Sequence, residues 1–386
     1  MFLTRLWPTW DLVGTAFWYQ DLTTSRPIEL NRLPDISLQG SRQPVPGLPG
    51  VLYEFEGSAT HFMRAVGSDG SRIDLHPRLS RPFTPGGIVT VTPFAGGRLT
   101  GYDRRATGVV LSRAHVVEEA EPDDKLRRLL EGGVDLEATA SRVYPMEGRF
   151  NLDAALHTIE PRVRYLWIEG RGKNNLPGWS DLDRIRDTES FEYSITNRVR
   201  GKTITGPGGE AARLEMVRFV LGHSVDLRSA SGLSGDVFAD LILRPNQIVT
   251  LRGDLRQDTH GEGIKNATTD LSVALNRLTT SVGTRYSDPR KVNFLQGALN
   301  GEITPNLTAR FSTNWDIRTD RFIENRFAVD VKFQCWAVTI EYVNRNGRGR
   351  AGEDEIRFAV NLLGLGAPLR TSVGMGALTS SGGTSR

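Results

Sequence analysis

The sequence predicts an all-β chain: an antiparallel, up-and-down transmembrane β-barrel. Three observations carry that expectation: apolar residues that recur with a period of two, long strands, and turn signals spaced as a meander requires. The segment LTARFSTNWDIR at 307–318 places Leu307, Ala309, Phe311, Trp315 and Ile317 at odd positions, with Arg310, Asn314, Asp316 and Arg318 at even ones. Successive side chains of a strand point to opposite faces, so the segment has one apolar and one polar face. The same alternation runs through ATTDLSVALN, IVTLRGDLRQD and EIRFAVNLL. Alternation alone would also suit a soluble sandwich.

Strand length separates the two. Turn signals at 243–247, 257–263, 276–277, 287–291, 303–306, 318–321 and 344–354 leave strands of about 9–13 residues between them. A tilted membrane-crossing strand needs about 9–11, whereas globular sheets average about 5–6. Strands in the first half are expected near 9–20, 33–41, 51–66, 71–82, 88–102, 133–145, 153–168, 189–200 and 213–227. Two inserts interrupt them. The first contains acidic residues followed by KLRRLLEGG and is expected to hold a short helix at 121–131, closed by Gly132 and Gly133. The second, EGRGKNNLPGWSDLDRIRD, reads as a polar loop. Pro161 and Pro245 are placed near strand beginnings or turns, where a missing N–H is tolerated. The total is about 17 or 18 strands, which closure would free of edges. Residues 1–363 form the barrel portion in this reading, and 364–386, small and polar, a disordered tail.

Composition is compatible with this but does not demand it. With mean hydropathy −0.32 and 38% apolar residues, a bundle of membrane helices is excluded. A barrel escapes that test because only alternate residues face lipid. The 48 basic and 45 acidic residues are too evenly matched to argue for nucleic acid. The N-terminus lacks the apolar core and cleavage site of a secretion signal, so a protein working outside the cytoplasm would be expected to begin further upstream. Cys335, the single cysteine, is either a free thiol or paired with another segment.

On the predicted wet faces lie Arg252, Asp254, Arg256, Asp270, Arg310, Asp316 and Arg318, candidates for a polar interior. Trp315, Trp336 and Tyr342 fall on outward faces or near strand ends, as a lipid-interface girdle requires. Core aromatics of a sandwich would look the same. Alternation changes phase between Phe333 and Trp336, which places a tight turn at 333–336. No metal-ligand spacing, nucleophile elbow or phosphate loop is found, so neither an enzyme nor a cofactor is expected.

NRLPDISLQG (31–40), RIDLHPRLSRPF (72–83), LHTIEPRVRYLWI (156–168), DLDRIRDTESFEYSITNRVRGK (181–202) and FQCWAVTIEYVNR (333–345), in this order, resemble the C-terminal part of the LptD family. The resemblance covers about residues 5–363. It implies part of a larger barrel of the Gram-negative outer membrane that inserts lipopolysaccharide into the outer leaflet. The implied route runs through a lumen and a lateral gate between first and last strands. The implied partners are lipopolysaccharide, an LptE-like plug lipoprotein, outer-membrane lipid, and an LptA-like periplasmic bridge reached through a missing N-terminal domain. The family also implies that Cys335, at the 333–336 turn, bridges to that missing domain; some members carry an adjacent cysteine pair, where this chain has Trp336. The alternatives from the residues are a general porin or substrate-specific channel, and a secreted carbohydrate-binding β protein.

Overall fold

The computed structural model describes residues 2–19, 29–112, 115–205, 210–229, 234–261, 263–288, 290–346, 353–362 and 371–374. The strands join in one 21-stranded sheet, and no α-helix occurs among the described residues. The strand registers are antiparallel, mostly between chain neighbours, as an up-and-down meander requires. The chain divides into two compact units: Met1–Thr139 with Pro161–Tyr193 and Ser224–Ser234, and Ala140–Glu160 with Ser194–His223 and Gly235–Arg386.

Unit 1 begins with β1 (Phe2–Leu6), β2 (Trp10–Phe17), β3 (Asn31–Pro44), β4 (Leu52–Met63), β5 (Gly70–Ser80), β6 (Val89–Ser112) and β7 (His115–Ala138). It also takes the second part of β9 (Ala154–Arg171) and the start of β10 (Thr188–Thr205). Unit 2 contains β8 (Ala140–Pro145), the remainder of β9 and β10, and most of β11 (Glu210–Asp226). It continues through β12 (Ser234–Leu243), β13 (Val249–Asp258), β14 (Ile264–Ala274), β15 (Leu278–Ser287) and β16 (Val292–Thr304). It ends with β17 (Leu307–Asp316), β18 (Arg321–Lys332), β19 (Trp336–Arg345), β20 (Glu353–Leu362) and β21 (Thr371–Gly374).

Four features depart from the expected organisation. Residues 121–131 are not helical but continue β7, paired with β6 from Val89↔Ala138 to Ser112↔His115. Their side chains show why: Arg127 and Leu129 are buried while Leu126 and Leu130 are exposed, a period of two that the local acidic start and glycine stop had masked. Pro122 is accommodated at a register shift between Tyr102 and Arg104 on the partner strand. Pro161 lies inside β9 rather than at its beginning. It falls where the partner on one edge changes from β8 (Ala140↔Ile159) to β7 (Glu137↔Arg162). Among the described residues the strands number 21 rather than 17 or 18, because β1, β8 and β21 are separate strands. Within the stretch read as a tail, β21 pairs with β20 from Arg357↔Gly374 to Val360↔Thr371; the remainder of 363–386 lies outside the described residues.

The turn at 333–336 is where the change of phase put it. β18 ends at Lys332, β19 starts at Trp336, and the Phe333 N–H donates to the Trp336 carbonyl at 2.8 Å.

Candidate functional site

On β5 the burial pattern is inverted relative to a soluble sheet. Ile73 is 58% exposed and Leu75 41%, while Arg72 is 7% exposed and Asp74 2%. In water, apolar side chains would occupy the covered face and charges the open one. Here the charges are covered. Register carries the same faces to the neighbours: Asp74 lies opposite Thr100 of β6, and Thr100 opposite Arg127 of β7, both fully buried.

The covering segment is the second insert, 172–187. It leaves β9 at Gly172, whose φ of +76° suits glycine and whose Cβ position would lie 2.2 Å from the Leu126 carbonyl oxygen. Ser180 and Asp183 form a capping box around a 3-10 turn at Asp181–Arg184. The Ser180 N–H donates to Asp183 Oδ2 at 2.7 Å, which leaves Asp183 Oδ1 aimed at the sheet. Arg72 Nη1 donates to that oxygen at 2.8 Å and to Ser180 Oγ at 2.6 Å, and Tyr102 Oη donates to it at 2.9 Å. Arg127 reaches the Leu182 carbonyl at 2.8 Å and Thr100 Oγ1 at 2.9 Å, and Thr100 in turn donates to Asp74 at 2.7 Å. Two guanidinium groups thus face two carboxylates, the balance that buried charge needs.

An aromatic wedge sits beside these charges. Trp179 stacks on Phe62 with ring centroids 4.7 Å apart and donates from Nε1 to Ser68 Oγ at 2.9 Å. Phe62, Tyr102 and Trp179 form a buried cluster on this face. The insert's base is closed by Asp187, which accepts from Lys173 and, at 3.0 Å, from the Gly170 N–H. The Lys173 ammonium holds the Asp187 carboxyl below the usual carboxylate range.

Further along the same face of unit 1, His76 lies 3.0 Å from Glu131, Arg78 3.2 Å from Glu54, and Arg98 3.2 Å from Glu56. In unit 2 a comparable ladder crosses three strands. Arg345 of β19 bridges Glu324 of β18 at 2.7 Å and Glu355 of β20 at 3.1 Å, and Arg357 of β20 meets Glu341 of β19 at 3.5 Å. The opposite face of these strands carries exposed Phe327, Ile340, Tyr342, Ile356, Phe358 and Val360.

The residues singled out from sequence are distributed as follows. Arg252, Asp254 and Asp270 come together, lining a hollow of about 330 Å³ with Arg218 and Asp240. Arg256 sits 5.9 Å from the Phe238 ring. Arg310 pairs with Asp330 at 2.7 Å, and Asp330 also accepts from Thr339. Asp316 stands at the end of β17 and caps the following turn, accepting from the N–H groups of Arg318 and Thr319; Arg318 donates to the Lys291 carbonyl. Trp315 stacks with Phe322, and Trp336 with Phe333 at 4.0 Å. Tyr342 Oη donates to Asp354. Cys335 is exposed in its turn. Sequence reasoning missed Arg72, Tyr102, Arg127, Trp179 and Asp183; the signal available was the Ser180-x-x-Asp183 spacing inside a loop that otherwise looked featureless.

Among the described residues no group of three or more His, Cys, Asp or Glu is placed to hold a metal ion, and no helix is long and apolar enough to cross a membrane, which says nothing of strands. An antiparallel meander with long strands, open apolar faces and covered charged faces defines the outer-membrane type of β protein. Within that class the chain belongs to the family described as LptD, LPS transport system D, which it matches over residues 4–369. It is similar to the LPS-assembly protein LptD of Nitrosospira multiformis, 23% identical over 365 residues, covering 85% of this chain and 36% of that protein. The LPS-assembly protein LptD of Aromatoleum aromaticum is 26% identical, with 53% of this chain and 26% of that protein covered. The chain therefore spans about a third or less of the length of these relatives. Among solved structures, the siderophore receptor PirA of Acinetobacter baumannii superimposes with a TM-score of 0.45 at 10% identity, covering 95% of this chain and 70% of that one. The family does not favour the porin alternative.

Proposed function

We propose that this chain is the C-terminal part of a lipopolysaccharide transport and assembly protein in the outer membrane of a Gram-negative bacterium. The observation that carries the reading is the inverted β5: Ile73 and Leu75 open, Arg72 and Asp74 covered. Acyl chains of the membrane suit the first face, and a wet interior that passes phosphorylated sugars suits the second. Family membership supplies the substrate class.

In this reading the sheet closes, together with strands from elsewhere in the protein, into a barrel. Sugars cross the polar interior while acyl chains leave sideways through a seam, one lip of which is β20 together with β21, which pairs along its outer edge. An LptE-like lipoprotein occupies the interior, and an LptA-like periplasmic bridge delivers substrate through an N-terminal domain that Cys335 tethers by a disulfide. The insert 172–187, locked on the charged face, narrows the loop end of that interior. Asp254 and Arg252, on the wall of the 330 Å³ hollow, are positions past which the sugars travel.

Photocrosslinking in living cells tests this. A photoreactive side chain at Asp254 should give lipopolysaccharide adducts, and one at Ile73 adducts with membrane lipid. Equal lipopolysaccharide labelling at both positions, or labelling at neither, would overturn the reading.

A further inference from the structure

We propose that the loop end of unit 1's apolar face carries a seat for the neutral sugar ring of a membrane glycolipid. The seat is a hollow of about 290 Å³ lined by Trp18, Tyr19, Glu29, Asn31, Met63 and Arg64. It rests on the membrane reading above, since the face concerned must meet lipid.

Register fixes which face this is. Met63 lies opposite Asn31 and two pleats along β4 from Ala59... Ala59 faces Ile73 of β5, the open apolar residue. Phe62, on the other face of β4, is buried under the insert. The hollow therefore continues the apolar strip of Ile73 and Leu75 at its loop end, where Trp18 and Tyr19 stand exposed. Aromatic residues at such a level ordinarily form an interfacial girdle, and a girdle needs no hollow.

Two polar atoms point beyond a girdle. Glu29 Oε2 and Arg64 Nε are buried without a hydrogen-bond partner, one an acceptor and the other a donor. An unpaired buried atom of either kind carries a desolvation cost, so a ligand offering both functions gains by occupying the site. Adjacent hydroxyls of a pyranose do so, donating to the carboxylate and accepting from the guanidinium. The ring's C–H faces suit the Trp18 and Tyr19 side chains, whose bodies are apolar and tips polar. Glu29 opposes a phosphate, and Glu118, whose carboxylate interacts with Arg64, does so as well. A volume at the lower edge of small-molecule sites fits one ring. Acyl chains attached to that ring would run down the Ile73–Leu75 strip, which is why the occupant is a glycolipid and not a free sugar.

The test uses the whole protein in which, on that reading, further strands complete this sheet, inserted in phosphatidylcholine nanodiscs doped with equal amounts of a monoglucosyl diacylglycerol and phosphatidylglycerol. Native mass spectrometry counts the lipids retained, and heat-modifiable electrophoretic mobility confirms the fold. Retention of the glucosyl lipid at least fivefold over phosphatidylglycerol is expected. Trp18→Ala and the gentler Glu29→Gln should each abolish that preference, while Trp315→Ala should not. A chain that inserts but shows no preference, or keeps it in both pocket variants, overturns the seat and leaves the membrane reading standing. A whole protein that partitions into water instead of the nanodisc overturns both.

Discussion

Arg72 and Asp183 lie 111 residues apart in sequence, yet Arg72 Nη1 donates to Asp183 Oδ1 across 2.8 Å, and both side chains are almost fully buried. Asp183 also receives Tyr102 Oη and the Ser180 N–H. This one carboxylate joins the insert to β5 and β6. Removing either charge leaves the other buried and uncompensated, which costs about 3–5 kcal/mol. Asp183→Leu and Arg72→Met should each expose 172–187 to protease. The double variant should recover much of the loss, because no lone charge remains. Additive losses in the double-mutant cycle would show that the two residues act separately.

Gly172 is the point where the insert leaves β9. At φ +76°, with its Cβ position 2.2 Å from a backbone oxygen, alanine there meets both backbone strain and a clash. Gly172→Ala should destabilise unit 1 by about 1–3 kcal/mol, read as a lower urea midpoint at constant slope. Gly86→Ala, with positive φ but open space around it, should cost less.

The tether at the insert's base should depend on pH in one direction. The Asp187 carboxyl is held below its ordinary range, chiefly by Lys173. Its unfolded counterpart titrates at about 3.9, so the stabilisation is complete above that value and is lost as pH falls through the lower folded value. Protease cleavage within 172–187 should therefore quicken as pH is lowered from about 5 to 3. Asp187→Asn should flatten that part of the profile. An unchanged profile in the variant would assign the acid sensitivity elsewhere.

The period-two strands were legible because each is written locally: Leu307 to Ile317 alternates within a single segment, and the register of β17 on β18 follows it. Arg252, Asp254 and Asp270 were likewise legible as one polar face, since Arg252 and Asp270 are register partners. The Asp183 hub was not, because burial of a charged side chain arises from segments far apart in sequence. Nor was β7, where Pro122, an acidic run and two glycines imitate helix boundaries; only pairing with β6 and β9 imposes the strand. Asp316 was read from its strand alternation, although it stands two and three residues before the N–H groups it caps, a turn signal already present in the sequence.

The open apolar face makes the last prediction, and it separates a membrane from water most directly. Ile73 is 58% exposed in the structure. On the surface of a soluble sheet, replacing so exposed a side chain by lysine would change stability by no more than about 0.5 kcal/mol. Facing hydrocarbon, the same lysine costs about 2–4 kcal/mol near the bilayer midplane and less toward either interface. Ile73→Lys should thus unfold at lower urea from lipid vesicles than the parent, whereas Ile73→Leu should match it. Phe358→Lys on β20, whose alternation likewise puts Phe358 opposite to the Glu355 and Arg357 ladder, should behave the same way. A loss below about 0.5 kcal/mol at both positions would mean that these faces meet water, and the membrane reading would fall with them.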